Sequence, residues 1–248
     1  MRARCDARVL VVGAGGLGCP AAMVLARAGV GTIGLADDDA VDVTNLHRQI
    51  LFGDEDVGVH KVEAAHRALV KIAPQLKIEG FASRLLPHNA VALVAGYDVV
   101  LEGSDNFATK FLAADACGIA GVPIVHGAAI RWHGTALAVG GSGLPCYRCL
   151  FEDLPEGDGP NCAEAGVIGP MVGVIGALMA DLALGILDGR DVTGTLVTFD
   201  GKTDACRRRK ISPRADCTLC SPNRHISRID GARYLRDAHL PCGESHQS

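Results

Sequence analysis

Residues 8–36 constrain the fold more tightly than any other stretch. The apolar run Arg8-Val-Leu-Val-Val12 ends in Gly13-Ala-Gly-Gly-Leu-Gly18, a helical pattern follows from Pro20 to Ala28, and Thr32 to Ala36 reads as a second strand. Strand, glycine loop, helix and strand in that order make a βαβ unit of the usual size. Glycines at Gly13, Gly15, Gly16 and Gly18 let the backbone turn tightly and approach a phosphate. The helix behind them offers unpaired N–H groups to an anion. The second strand closes on Asp37-Asp38-Asp39, and Asp37 stands where such a unit keeps an acid for a ribose hydroxyl. Taken alone, the unit describes an NAD(P)-dependent oxidoreductase equally well, and helix–strand packing is a second use for the glycines.

Strand and helix patterns keep alternating downstream. Val59 to Ile72 has helical spacing and stops before Pro74; Leu76 to Phe81 reads as a strand and Asn89 to Val94 as a short helix. Asp98 to Glu102 is a buried strand, Phe107 to Ala120 a helix with a glycine stop, and Val122 to Val125 and Thr135 to Val139 are further strands. Met171 to Leu187 is a long apolar helix and Gly194 to Asp200 a late strand. The pattern predicts an α/β fold, a Rossmann-like, doubly wound and mostly parallel sheet. A length of 248 residues suits one such domain, placed at 1–222, with a tail of mixed charge at 223–248.

Charge and composition remove several classes. A net charge of −4 gives no basic field, so nucleic acid is not the expected partner. The charge-free stretch 166–180 is interrupted by Pro170 and closed by Asp181. It falls short of the ~20 residues a bilayer core demands, so it is read as a buried helix and no membrane is expected. No signal-peptide pattern precedes the first strand, and ten cysteines then point to a reducing, cytoplasmic setting in which thiols serve metals or chemistry.

Four further groups carry chemistry. Asn45, Arg48, Gln49 and Lys61 follow the acidic cluster. A dinucleotide has no evident need of an Arg and a Lys there, whereas a departing pyrophosphate must have its charge neutralised. Lys61 opens a helix after Gly58; the alternative is a solvated lysine on an exposed helix. Ser104-Asp105-Asn106 follows a buried strand, at the carboxyl end where open sheets bind ligands. Asp105 there either holds Mg²⁺ against phosphates or caps the next helix. Cys146-Tyr-Arg-Cys149 and Cys217-Thr-Leu-Cys220 offer four thiolates, the tetrahedral set that Zn²⁺ prefers, with no position left open for catalysis. Cys162 lies in a Gly/Pro-rich segment and is either a nucleophile or an inert thiol.

Together these segments resemble the MoeB/ThiF/HesA family, prokaryotic relatives of ubiquitin-activating enzymes, from Val9 to about Pro222. Besides the glycine loop and the Asp37 cluster, the resemblance rests on Thr44-Asn-Leu-His-Arg-Gln49, Gly58-Val-His-Lys61, Ser104-Asp-Asn106, Gly127-Ala-Ala-Ile-Arg131, Pro145-Cys-Tyr-Arg-Cys149, Asn161-Cys-Ala-Glu-Ala-Gly166 and the last Cys pair. It implies ATP-dependent adenylation of the Gly-Gly carboxylate of a small ubiquitin-like sulfur-carrier protein by a homodimer. Asp37, with Asp39 beside it, binds the ribose side; Asn45, Arg48 and Lys61 grip the phosphates with Gln49 close by; Asp105 holds Mg²⁺ and the four cysteines hold zinc. In ThiF-like members a cysteine at the Cys162 position can bond covalently to the carrier, whereas MoeB-like members need not use it. Family members also carry an N-terminal helix that supplies an Arg to the partner subunit's ATP. Only seven residues precede Arg8 here, which leaves Arg2 or Arg4 as substitutes. No rhodanese-like pattern follows, so sulfur is expected from a separate donor. A zinc-stabilised, non-catalytic carrier-binding module is the alternative outside enzymes.

Overall fold

Alternation inside the first strand accounts for a core on both sides of the sheet. In β1 (Arg8–Val12), Val9 and Val11 belong to one apolar cluster and Leu10 and Val12 to the other. Such a strand is buried on both faces, as parallel strands covered by helices are. The computed structural model describes residues 3–154 and 166–237. After β1 come α1 (Gly18–Arg27), β2 (Thr32–Ala36), α2 (Lys61–Ile72), β3 (Lys77–Phe81), α3 (Ala90–Val94), β4 (Val99–Glu102) and α4 (Phe107–Ala120). They are followed by β5 (Ile124–Ile130), β6 (His133–Val139), α5 (Tyr147–Leu150), α6 (Gly169–Leu187), β7 (Thr195–Asp200) and β8 (Ala205–Lys210).

The strands form one sheet in the order β3-β2-β1-β4-β5-β6-β7-β8. From β3 to β5 every pairing is parallel; β5 to β8 pair antiparallel. The doubly wound, mostly parallel sheet of the sequence reading is therefore present, with an antiparallel extension on one edge. The chain order reverses between β1 and β4, which makes that crevice the topological switch point. There the backbones crowd: a Cβ at Gly18 would lie 1.9 Å from Gly13 O, and Gly13 itself has φ +88°.

Helices α1, α2 and α6 cover one face, and α3, α4 and α5 the other. The 19-residue α6, with mean hydropathy 2.0, is long and apolar enough to cross a membrane by length and composition. It extends past the charge-free run of the sequence reading, through Asp181. Here it is the core helix of its face: Met171, Ile175, Met179 and Leu182 are buried, and it packs on α1, β4, β5 and β6. Past Pro222, Ile226 and Tyr234 are buried in the second cluster, and the 3-10 turn Gly231–Asp237 packs on α4.

Candidate functional site

The switch point opens into a cavity of about 370 Å³ above the carboxyl ends of β1, β2, β4 and β5. The glycine loop forms its floor, and Asp37, Lys61, Arg48 and Asp105 are all on its wall. The residues predicted for the nucleotide thus converge, although they come from five separate segments.

Local pairing explains the convergence. Val41 N donates to Val59 O at 2.8 Å and Lys61 N to Asp39 O at 3.0 Å, so the start of α2 is stitched to the end of β2. Lys61 is consequently 5% exposed, its Nζ 2.6 Å from Asp39 Oδ2 and 3.9 Å from Asp37 Oδ1. The solvated-lysine alternative is overturned. Asp37 accepts from Ala14 N at 2.8 Å and Asp39 N at 2.9 Å, clamping the glycine loop to β2. Burial pushes the Asp37 carboxyl above the usual carboxylate range, opposed mainly by Lys61.

Asp42 caps the 3-10 turn Val43–Asn45 by accepting from Thr44 N at 2.8 Å. Asn45 O then receives Arg48 N and Gln49 N, both at 3.0 Å, and Arg48 Nη2 donates to Asn45 Oδ1. The start of α6 supports this turn closely: a Cβ at Gly169 would lie 2.5 Å from His47 O. Gln49 is buried in the pocket wall near Gly15, and its Oε1 has no hydrogen-bond partner among the described residues. An orphaned acceptor there matches a site built for a donor-bearing ligand.

Beyond β4 the helix-cap alternative for Asp105 also falls. Asn106 is the cap of α4, its Oδ1 accepting from Thr109 N at 2.8 Å. Asp105 is exposed to the pocket and makes no hydrogen bond or ion pair among the described residues. By contrast, Asp38 is tied to Arg84 at 2.8 Å and Asp39 to Lys61.

Three residues without a sequence signal complete the site: Lys110 in the wall, with Glu102 and His126 buried behind it. Glu102 is fully buried; its Oε2 receives Lys110 Nζ at 2.9 Å and faces His126 Nδ1 at 3.2 Å, and its Oε1 accepts from Ser104 N at 2.7 Å. Burial alone would raise its pKa, but the charge of Lys110 and the bonds from His126 and Ser104 outweigh it and hold the carboxyl at about 2. Burial pushes the His126 imidazole below its ordinary value despite Glu102; a carboxylate only accepts, so Nδ1 is the donor of that contact.

The four cysteines meet 71 residues apart in sequence at the far side of the second cluster. Their Sγ atoms all lie within 4.8 Å of one another, with Cys146–Cys217 and Cys149–Cys220 at 3.4 Å and Cys146–Cys149 at 3.8 Å. A tetrahedron with ~2.3 Å Zn–S bonds spaces its sulfurs about 3.8 Å apart, so the set fits. Burial and the neighbouring sulfurs push Cys220 up to about 12, so without a cation beside it this sulfur stays a protonated thiol. Arg4, at the other extreme, donates to Asp188 at 2.8 and 2.5 Å beyond the end of α6 remote from the pocket. It does not reach the site of its own chain; Arg2 and Cys162 lie outside the described residues.

Comparison with known proteins agrees with this geometry. The sequence pattern of the ThiF family matches residues 3–219. The "Adenylyltransferase and sulfurtransferase MOCS3" of Aedes aegypti is 42% identical over 96% of this chain and 57% of its own length, so the chain spans little more than half of that relative. The "SAMP-activating enzyme E1" of Haloferax volcanii is 40% identical over 87% of this chain and 80% of its own. A crystal structure of E. coli MccB with ATP shares the fold, with a TM-score of 0.76 at 21% identity over 88% of this chain and 68% of that one. The clamped glycine loop, the stitched Lys61 and the four-cysteine cluster are thus the local architecture of a chain that belongs to the ThiF family.

Proposed function

We propose that the chain adenylates the C-terminal Gly-Gly carboxylate of a small ubiquitin-like sulfur-carrier protein, using ATP and Mg²⁺. One observation carries the reading: the cations Lys61 and Arg48 share a pocket with a carboxylate, Asp105, that makes no hydrogen bond or ion pair among the described residues. A nicotinamide site has no use for that combination. A triphosphate site does, because charge builds on the departing pyrophosphate. The names of the Aedes and Haloferax relatives support the same chemistry.

In this reading the glycine loop beds the nucleotide, Asp37 takes the ribose, and Asn45 grips the phosphates with Arg48 and Lys61, Gln49 standing close by. Asp105 supplies the hard oxygen ligand for Mg²⁺, which neutralises phosphate charge when bound. No strong protein base is required, since the attacking group is already a carboxylate. Cys146, Cys149, Cys217 and Cys220 hold a structural Zn²⁺. A protein partner has room beside the pocket: Ala128 is exposed on the sheet face opposite α6, in register with Thr135, Thr198 and the exposed Arg207. The reading includes a cytoplasmic homodimer, a separate sulfur donor, and a role for Cys162 only after the adenylate forms.

The test is ATP–pyrophosphate exchange with a Gly-Gly-terminated carrier. Arg48→Ala, Lys61→Ala and Asp105→Ala are each expected to slow exchange about a hundredfold or more, and Cys162→Ala to leave it intact. Trapping of NAD(H) in place of ATP would return the oxidoreductase reading. ATP and carrier binding without exchange would return the non-catalytic module.

A further inference from the structure

Lys110 is a buried cation in the pocket wall whose position the adenylation chemistry above does not use. It lies in the first turn of α4 and is 6% exposed. Its Nζ donates to Glu102 Oε2 at 2.9 Å and to Gly127 O at 2.6 Å. A lysine ammonium has three N–H donors, so one is left over on a side chain that lines the cavity. A buried ion pair is a poor route to stability, because apolar residues of the same volume do as well or better. The buried Glu102, steadied in turn by Ser104 and His126, therefore has a reason other than stability to fix an ammonium at this place.

That place is the side of the pocket away from the ribose end. Across the sheet, Asp37 and Lys61 stand at the end of β2, the glycine loop follows β1, Asp105 follows β4, and Lys110 bridges β4 to β5. If the nucleotide extends from β2 over the glycine loop, the group that attacks its α-phosphate enters from the β5 side. That group is an anion approaching an anion, and the chain offers Lys110 there to offset the repulsion.

Resting on the adenylation reading, we propose that Lys110 is a catalytic residue for the carrier half of the reaction. Its third N–H binds the incoming terminal carboxylate, with Glu102 and His126 as positioning residues. One carboxylate oxygen forms a bond to the α-phosphorus while the bond from that phosphorus to the β-bridging oxygen breaks. Pyrophosphate leaves with the electron pair, and Lys110 keeps its proton throughout.

The experiment uses the full chain and a small ubiquitin-like protein ending in Gly-Gly. It compares steady-state exchange with calorimetric ATP–Mg²⁺ binding in the absence of carrier. Lys110→Met is expected to lower kcat/KM for the carrier about a hundredfold while changing the Kd for ATP less than about threefold. Lys110→Arg should recover a substantial part of the loss. Lys110→Met with carrier kinetics near those of the unsubstituted chain overturns the proposal, and so does an ATP Kd that weakens in step with kcat/KM. Should Lys110→Met not fold, Lys110→Gln is read by the same split; if neither folds, the lysine is structural and the proposal fails. Absence of exchange in the unsubstituted chain sinks the adenylation reading, and this inference with it.

Discussion

Asp105 and Asn106 sit side by side at the start of α4 and divide two duties that the sequence left with one residue. Asn106 satisfies a free N–H of the helix, while the carboxylate of Asp105 is left for a ligand. Asn106→Ala should therefore cost about 1 kcal/mol of stability, whereas Asp105→Ala should leave the urea midpoint unchanged while losing exchange. Equal destabilisation by both would reassign the cap. Glu102 makes a different prediction, set by pH. Its folded pKa of about 2 lies below the ~4.3 of an unfolded glutamate. Its contribution is thus complete above about pH 5 and lost as pH falls through ~4.3 toward 2. Glu102→Gln strands Lys110 and should cost on the order of 3–5 kcal/mol near neutrality. The gap between the two chains, read from urea midpoints, should narrow as pH drops from about 5 to 2; a constant gap would mean the carboxyl is not held ionised. At this scale legibility followed chain locality. Asp37, Arg48 and Lys61 lie in short segments whose chemistry shows in their spacing. Glu102, Lys110 and His126 come from β4, α4 and β5, each looks like an ordinary residue of its element, and only the β4–β5 pairing reveals the group.

Elements built from apolar periodicity were legible; those held by context were not. The boundaries of β1, β2 and α4 follow directly from apolar runs and glycine stops. β8 was missed because Cys206-Arg-Arg-Arg-Lys210 has no apolar alternation: it is an exposed edge strand, kept from further pairing by charge. β5 extends to Ile130, beyond the Val125 expected, through Gly127-Ala-Ala, a run with little strand propensity. Tertiary packing imposes that strand, since a Cβ at Gly127 would fall 2.1 Å from Met179 Sδ on α6. The same helix crosses α1 at Gly176, where a Cβ would lie 2.6 Å from Leu17 O and 2.5 Å from Pro20 Cγ. Backbone cannot give way as a side-chain tip can, so Gly176→Ala should force α1 and α6 apart. The expected cost is about 1–3 kcal/mol. Because Leu17 also borders the pocket, ATP affinity should fall with the melting temperature. Loss of stability with ATP binding preserved would show that the crossing and the glycine loop are independent.

The whole molecule is two apolar clusters on one sheet, and the second is finished by chain that arrives last. Arg148, inside the first Cys pair, is 2% exposed; it donates to Asp115 at 2.8 and 2.9 Å, and Tyr234 donates to the same carboxylate at 2.6 Å. Cys217 and Leu219 are buried in that cluster, and a Cβ at Gly118 would meet Leu219 at 3.2 Å. The four thiols therefore stand where α4, the α5 turn and the C-terminal segment meet, and a zinc ion there would join strands of chain that no sheet pairing connects. Removing it should expose the Arg148–Asp115 pair and much of the second cluster to water, while the glycine loop and Lys61, on the far side of β1, keep their contacts. One zinc per chain is expected by elemental analysis of protein purified without added metal. Chelation should lower the melting temperature well before it changes ATP affinity measured below the transition, because a site closed by four thiolates offers no catalytic position. Cys217→Ser should lose the zinc and melt early in the same way. Unchanged zinc content and stability in that variant would show that the cluster packs as buried thiols and that the metal is not what closes the second core.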